Sequence, residues 1–208
     1  MPSISSAGPS GVTLTPPAFL RNDGTYAVPG VGRPQEPAAA QGTTVPRYLA
    51  SSSTAALSSG TVYACAIGLD YGVTVNNVSL FVAGTAESGG THAWVGLADS
   101  GMNVLAVSAD KTGATYFGGT NTAITTALAA PFVTTYAGLH YVFVMVAMSA
   151  GATPVFAAAP ALVNSALGNA APVLCGSSST SQTTPPAVGA ALTALTATAG
   201  HLFYAWLT

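Results

Sequence analysis

The chain has 208 residues, half of them hydrophobic and 5% charged, with four Lys/Arg, six Asp/Glu and a net charge of −2. Its mean hydropathy is +0.51, and an average globular chain is roughly one quarter charged. Four basic residues cannot neutralise a phosphate track, which excludes a nucleic-acid binder. A net charge this small also excludes disorder driven by self-repulsion.

Membrane insertion by a helix needs about 18 consecutive apolar residues. The best run here, Tyr141 to Met148, has eight, and the Ala-rich stretch from Ala150 to Leu167 is broken by Pro154, Pro160 and Asn164. The N-terminus lacks the basic and apolar regions of a signal peptide, so synthesis in a cytoplasm is expected.

Eight of the fourteen prolines and three of the four basic residues (Arg21, Arg33, Arg47) lie at or before Arg47. Proline fixes φ, removes a donor and pushes its predecessor toward extended geometry, so this stretch opposes both helix and central strand. Residues 1–53 therefore read as an extended arm, able to reach on the order of 160 Å, and 54–208 as the folded domain. Inside the arm, Phe19, Leu20 and Arg21 precede an Asn22-Asp23-Gly24 turn signal, and Tyr26 to Pro29 follow it. That pattern predicts a small hairpin or hooked turn near 19–29, with Gly24 supplying positive φ.

Beyond Gly60, β-branched and aromatic residues occur in short runs separated by Gly, Asn, Asp and Ser. Eight strands are predicted: 61–69, 75–83, 91–98, 103–109, 123–128, 140–148, 154–158 and 201–207. Asp99 to Met102 reads as a tight hairpin between the third and fourth. Residues 159–200 read as long loops or a further short strand. The Ala/Leu-rich run 187–198 tempts a helix, but Gly189, Thr193, Thr196 and Thr198 oppose it. Several strands are apolar on both faces, as in Val142 to Val146, and such strands must be covered on both sides. A neighbouring subunit is the simplest second cover. The expected fold is an all-β antiparallel sandwich of jelly-roll type, with an immunoglobulin-like sandwich as the alternative.

Chemistry-bearing residues are few. Asp70, Glu87, Asp99 and Asp110 sit beside turn residues, where an Asp side chain more often forms the turn than catalyses. His92, His140 and His201 stand near strand starts without the close spacing of metal ligands. Cys65 and Cys175 could pair, although two partly buried thiols is the plainer reading. No nucleophile elbow, phosphate loop, His-Glu-x-x-His or Cys-x-x-Cys motif occurs. No catalytic residue, metal ligand or cofactor is therefore assigned. The aromatics Trp94, Tyr116, Tyr204 and Trp206 remain as surface or interface candidates, able to stack on a saccharide or fill a partner's pocket. For Trp94 and Trp206, placement in the core or at a subunit interface competes with that reading.

The segment Phe19-Leu20-Arg21-Asn22-Asp23-Gly24-Thr25-Tyr26-Ala27-Val28-Pro29 resembles a Phe-Leu-Arg-x-Asp-Gly-Thr-aromatic-x-x-Pro element of bacteriophage fibre and virion appendage proteins. The body resembles small β-rich structural proteins of actinobacterial phages over Thr61 to Ile67, Gly72 to Val75, Thr91 to Asp99, Val104 to Asp110, Pro131-Phe132 and Tyr136 to Tyr141. The likeness implies a non-enzymatic virion protein exposed on the particle, most simply a minor tail or fibre component contacting the host. A capsid decoration or head-fibre protein is the alternative it implies, and a glycan-binding module is the third reading. Expected partners are other virion proteins, copies of itself in a closed ring, first of all a trimer, and a host-surface glycan. Phe19, Leu20, Arg21, Asp23, Gly24, Tyr26, Arg33 and Arg47 are the attachment candidates.

Overall fold

A computed structural model describes residues 19–20, 26–27, 36–37, 39–113, 116–160 and 172–208. The chain divides into two units, 1–34 and 35–208. In the first, β1 (Phe19–Leu20) and β2 (Tyr26–Ala27) pair antiparallel, Phe19 opposite Ala27 and Leu20 opposite Tyr26. This is the predicted small hairpin; its turn residues Arg21, Asp23 and Gly24, and also Arg33, lie outside the described residues.

The second unit is an all-β sandwich. Its strands are β3 (Gly42–Thr43), β4 (Ser52–Ser53), β5 (Thr61–Leu69), β6 (Thr74–Val82), β7 (Gly90–Asp99), β8 (Val104–Val107), β9 (Thr122–Val133), β10 (Gly138–Met148), β11 (Ala157–Ala158), β12 (Cys175–Ser177), β13 (Thr196–Ala197) and β14 (Ala205–Leu207). One sheet has the order β13-β12-β5-β10-β7-β8, the facing sheet β3-β14-β6-β9, and β11 pairs with β4. The described residues thus place ten strands in the two facing sheets rather than eight. Among them, the single helical turn is a 3₁₀ turn at Arg47–Leu49, and the Ala/Leu-rich run forms β13 and an isolated bridge at Ala191 instead of a helix.

The body begins earlier than its composition indicates. Residues 36–53, expected in the arm, belong to the sandwich: β3 pairs with the C-terminal β14 and β4 with β11. Gln41 N–H donates to the Leu207 carbonyl at 2.7 Å and Thr44 N–H to that of Ala205 at 3.0 Å. Proline punctuation forbids a helix, yet it permits short edge pairing of this kind.

Side-chain alternation builds two cores from one sheet. On the central strand β10, Val142, Val144 and Val146 face the other sheet, where they meet Val78, Leu80 and Val82 of β6 and Ala205 and Leu207 of β14. Tyr141, Phe143, Met145 and Ala147 face outward with Trp94 of β7 and Val62 of β5. The outward face is covered by the chain itself. Leu192 and Leu195 pack on it, and Leu192 N–H donates to Met102 while Val104 N–H donates to Ala190. The double-sided apolarity does mean two covered faces, but the second cover is residues 189–195, not a neighbouring subunit. These residues also pair along the β8 edge, removing unpaired backbone groups there.

On β6, Val75 faces inward and so do Val78, Leu80 and Val82, a change of parity that needs one extra residue. The register shifts between Val75 and Asn77, and the N–H groups of Asn76 and Asn77 both donate to the Thr208 carbonyl, at 2.6 and 2.8 Å. This β-bulge keeps both halves of the strand apolar side inward.

The predicted hairpin at Asp99 is present: β7 pairs antiparallel with β8, and Met102 adopts φ 65°. Asp99 Oδ1 accepts the N–H groups of Gly101 and Asn103, each at 2.8 Å, and Oδ2 accepts Asn103 Nδ2 at 2.8 Å. Burial alone would raise this carboxyl, but the hydrogen bonds from Asn103 and Gly101 outweigh it and hold it below its ordinary value. Its contribution is therefore complete above the usual Asp range, about 3.9, and is lost as pH falls through the lower folded value. Asp99→Ala is expected to cost about 1 kcal/mol at pH 7 and less at pH 3, as read from denaturation midpoints at the two pH values.

Candidate functional site

Alternation along β14 sends Ala205 and Leu207 into the core, so Tyr204 and Trp206 lie on the outer face of the four-stranded sheet. Their rings sit 5.4 Å apart, tilted by 31°, and Phe81 of β6 packs in the same cluster. Tyr204 is buried, whereas Trp206 and Phe81 are half-buried. Glu36 ties this surface to the start of the body. Its Oε2 accepts the Tyr204 hydroxyl at 3.1 Å and its Oε1 accepts the Arg47 backbone N–H at 2.9 Å. Arg47 is exposed, and the same 3₁₀ turn presents Tyr48 and Leu49 to solvent at 63% and 42% exposure.

Burial pushes the Tyr204 phenol far above its ordinary range; the charge of Glu36 and its hydrogen bond add to the effect, and Arg47 opposes it. The phenol therefore stays protonated at neutral pH and donates to Glu36. Both Glu36 oxygens already accept protein hydrogens, so the carboxylate positions the turn rather than acting as a base. What remains for a ligand is aromatic area beside an exposed cation, a chemistry of stacking and anion pairing.

Three sequence candidates, Arg47, Tyr204 and Trp206, are thus brought together, and the other two aromatics are not. Trp94 is fully buried in the outward core, and its Nε1 has no hydrogen-bond partner among the described residues, so it is a packing residue and not a surface one. Tyr204 is likewise buried, its ring packed beside Trp206 and its hydroxyl bonded to Glu36. Tyr116 is half-buried; its hydroxyl meets Thr126 Oγ1 at 2.7 Å, its ring stands edge-on to Phe117, and Lys111 Nζ lies 5.7 Å from the ring centroid. It pins β9 to the preceding loop. Glu36 and Phe81 escaped the sequence reading. Glu36 carried a signal only in being an acid within a Pro-rich stretch, and its tyrosine partner is 168 positions away.

The remaining titratable groups are spread over the body. Glu87, expected beside a turn, is buried with Oε2 accepting the Phe117 N–H at 2.9 Å. His92 Nδ1 meets Asp110 Oδ2 at 2.6 Å, with both side chains partly exposed. Among the described residues no serine or cysteine hydrogen-bonds to His92, so this His–Asp contact has no nucleophile beside it. The described residues also contain no cluster of three His, Cys, Asp or Glu suited to a metal, and no helix long and apolar enough to cross a membrane.

His201 stacks on Tyr63 at 4.4 Å and its Nδ1–H donates to the Ala199 carbonyl at 3.1 Å. Burial lowers its pKa from the ordinary 6.5, and the hydrogen bonds to Ala199 and Ala56 only partly offset this. In the unfolded chain the imidazole takes up a proton more readily than in the folded one. Stability is therefore expected to be level above about pH 6.5 and to fall below it, as U gains protons that N does not. Urea midpoints at pH 7.5 and 5.5 measure this, and His201→Phe is expected to flatten the difference.

No family model matches this chain, and no curated protein and no solved structure matches it either.

Proposed function

We propose that this protein is a non-enzymatic structural component of a bacteriophage virion, a β-sandwich body held to the particle by its N-terminal unit and exposed on the surface. The observation that supports this reading is how the chain uses its Pro-rich segments. Residues 36–53 gain structure by pairing two-residue strands, β3 with β14 at the edge of the four-stranded sheet and β4 with β11. Residues 1–34 share that composition and form a unit of their own, and such a segment gains buried surface and backbone partners when laid on another protein. Phe19, Leu20, Tyr26 and the arginines Arg21 and Arg33 are the groups it brings to that contact.

A phage carrying the chain without residues 1–34 tests this. The isolated body is expected to remain β-rich by circular dichroism while purified particles lack it; incorporation of the truncated chain at the normal level would overturn the attachment role. A minor tail or fibre location is our first assignment and capsid decoration the alternative, and copy number per particle separates them. A trimer is the assembly we assign first, although the apolar sheet faces no longer argue for it. The exposed Tyr48, Leu49, Tyr71, Val133 and Val188 are the surface available to such contacts, and sedimentation of the purified chain gives the assembly's mass.

The surface around Trp206, Phe81 and Arg47 favours a second reading, a site for host-envelope glycan. Trp206→Ala is expected to weaken polysaccharide binding about tenfold, the worth of one aromatic contact. Unchanged binding to intact polysaccharide would remove that reading.

A further inference from the structure

Cys65 of β5 and Cys175 of β12 stand directly opposite one another in an antiparallel ladder, both buried and both unpaired as free thiols. Backbone bonds fix what kind of pair this is. Ala66 N–H donates to Leu174, and Ser178 N–H donates to Val62. Hydrogen-bonded pairs alternate along such a ladder, so 66/174, 64/176 and 62/178 are hydrogen-bonded and 65/175 is not. Non-hydrogen-bonded partners hold their Cα atoms about 4.5 Å apart with side chains close, within the roughly 4.4–6.8 Å that a disulfide spans. Both side chains point into the same core between the sheets. Both thiols also donate toward one turn, Cys65 Sγ to the His201 carbonyl at 3.1 Å and Cys175 Sγ to that of Thr198 at 3.6 Å.

We propose that Cys65 and Cys175 are an oxidation site, which a low-molecular-weight disulfide converts to an internal cross-strand disulfide stapling β12 to β5. One cysteine thiolate attacks the external disulfide, forming a mixed disulfide and releasing one small thiol. The second cysteine then attacks the protein sulfur of that mixed disulfide, forming the Cys65–Cys175 bond and releasing the other small thiol. Two protein thiols and one external disulfide thus become one protein disulfide and two external thiols, the electron pair passing to the oxidant. The staple closes a loop of about 110 residues, of the size that constrains an unfolded chain most. It also anchors the strand from which the covering residues 189–195 follow.

Access controls the rate. Burial pushes both thiols up, which keeps the attacking thiolate scarce in the folded protein. The three-residue β12 and two-residue β13 at the edge of the sheet are short enough to open locally, and exchange proceeds from that opened form or during folding. A chain made under reducing conditions and released into oxidising surroundings would gain the staple after folding.

The test refolds the full 208-residue chain from denaturant with oxidised glutathione, beside a sample kept in reductant. Expected are loss of both titratable thiols in the oxidised sample, a proteolytic fragment joining Cys65 to Cys175, unchanged chain size on a non-reducing gel, and a Tm roughly 10 °C above the reduced sample. Adding reductant reverses the Tm gain, and Cys175→Ala or Cys65→Ala shows none. Two thiols still free after refolding, glutathione retained on either cysteine without an internal link, cross-linking between chains, or an internal link without a Tm gain would each overturn the proposal. The comparison of oxidised with reduced native sequence stands even where a cysteine variant folds poorly.

Discussion

Deleting residues 1–50 is expected to leave the sandwich about 5 kcal/mol less stable than deleting residues 1–34. The longer deletion removes β3 from the edge of the four-stranded sheet. With it go the backbone bonds from Gln41 and Thr44 to Leu207 and Ala205. The Thr44 hydroxyl, which donates to Phe203 at 2.6 Å and accepts the Ala205 N–H at 2.9 Å, is lost too. Each such bond is worth about 1 kcal/mol net. Burial of Val45 adds about 1.5 kcal/mol, and the Tyr204 hydroxyl loses its acceptor Glu36. Against a typical total of about 5–15 kcal/mol, such a loss brings the body near unfolding at growth temperature. Guanidinium midpoints of the two truncated chains decide the matter. Equal midpoints would show that 36–50 lie on the sandwich without stabilising it, and the truncation used to probe attachment must in any case stop at residue 34.

Gly96→Ala is expected to damage the body out of proportion to the single methyl group it adds. Gly96 on β7 stands opposite Phe143 on β10, and an added Cβ would collide with the Phe143 ring and with the Ala106 carbonyl. The ring occupies the space a side chain would need, so glycine here is a requirement of close packing and not of backbone freedom. Overpacking of a filled core costs about 1–3 kcal/mol, and here a backbone atom that cannot swing aside puts the expectation at about 3. Phe143→Ala, which empties a fully buried site, is expected to cost about 3–5 kcal/mol. The two sites share one contact, so the double substitution should cost less than their sum, because the methyl partly fills the space the ring leaves. A strictly additive double mutant in urea denaturation would show that the ring and Gly96 do not meet.

The strand 61–69 is legible at its observed bounds, and the strands around Val78, Val95 and Val144 to within a few residues, because β-branched and aromatic runs between Gly, Asn and Asp carry their own period. The hairpin at Asp99 was equally legible, its turn being closed by hydrogen bonds between residues two and four apart in sequence. The short strands β3, β12 and β13 were not. Each has two or three residues of ordinary composition, and each becomes a strand only because a neighbour offers it an edge: β14 for β3, β5 for β12 and β12 for β13. The same holds at the candidate site: Arg47 and Trp206 stood out by residue type, but nothing local joins them to Glu36 and Phe81.

The scarcity of charge and the period of the apolar runs, both properties of the sequence alone, determined that this protein is an all-β sandwich with strands covered on both faces. Tertiary structure alone decided what covers them. Residues 189–195, apolar but without a strand's alternation, and 36–53, polar and broken by Pro and Gly, do not announce a buried role, yet they complete the core, because a backbone with unpaired groups pairs with whatever sheet edge the long strands leave open. The apolar sheet faces are closed by the chain's own flanking segments, while the ring of Trp206 stays half-buried on the outer face and the turn at Arg47 stays exposed.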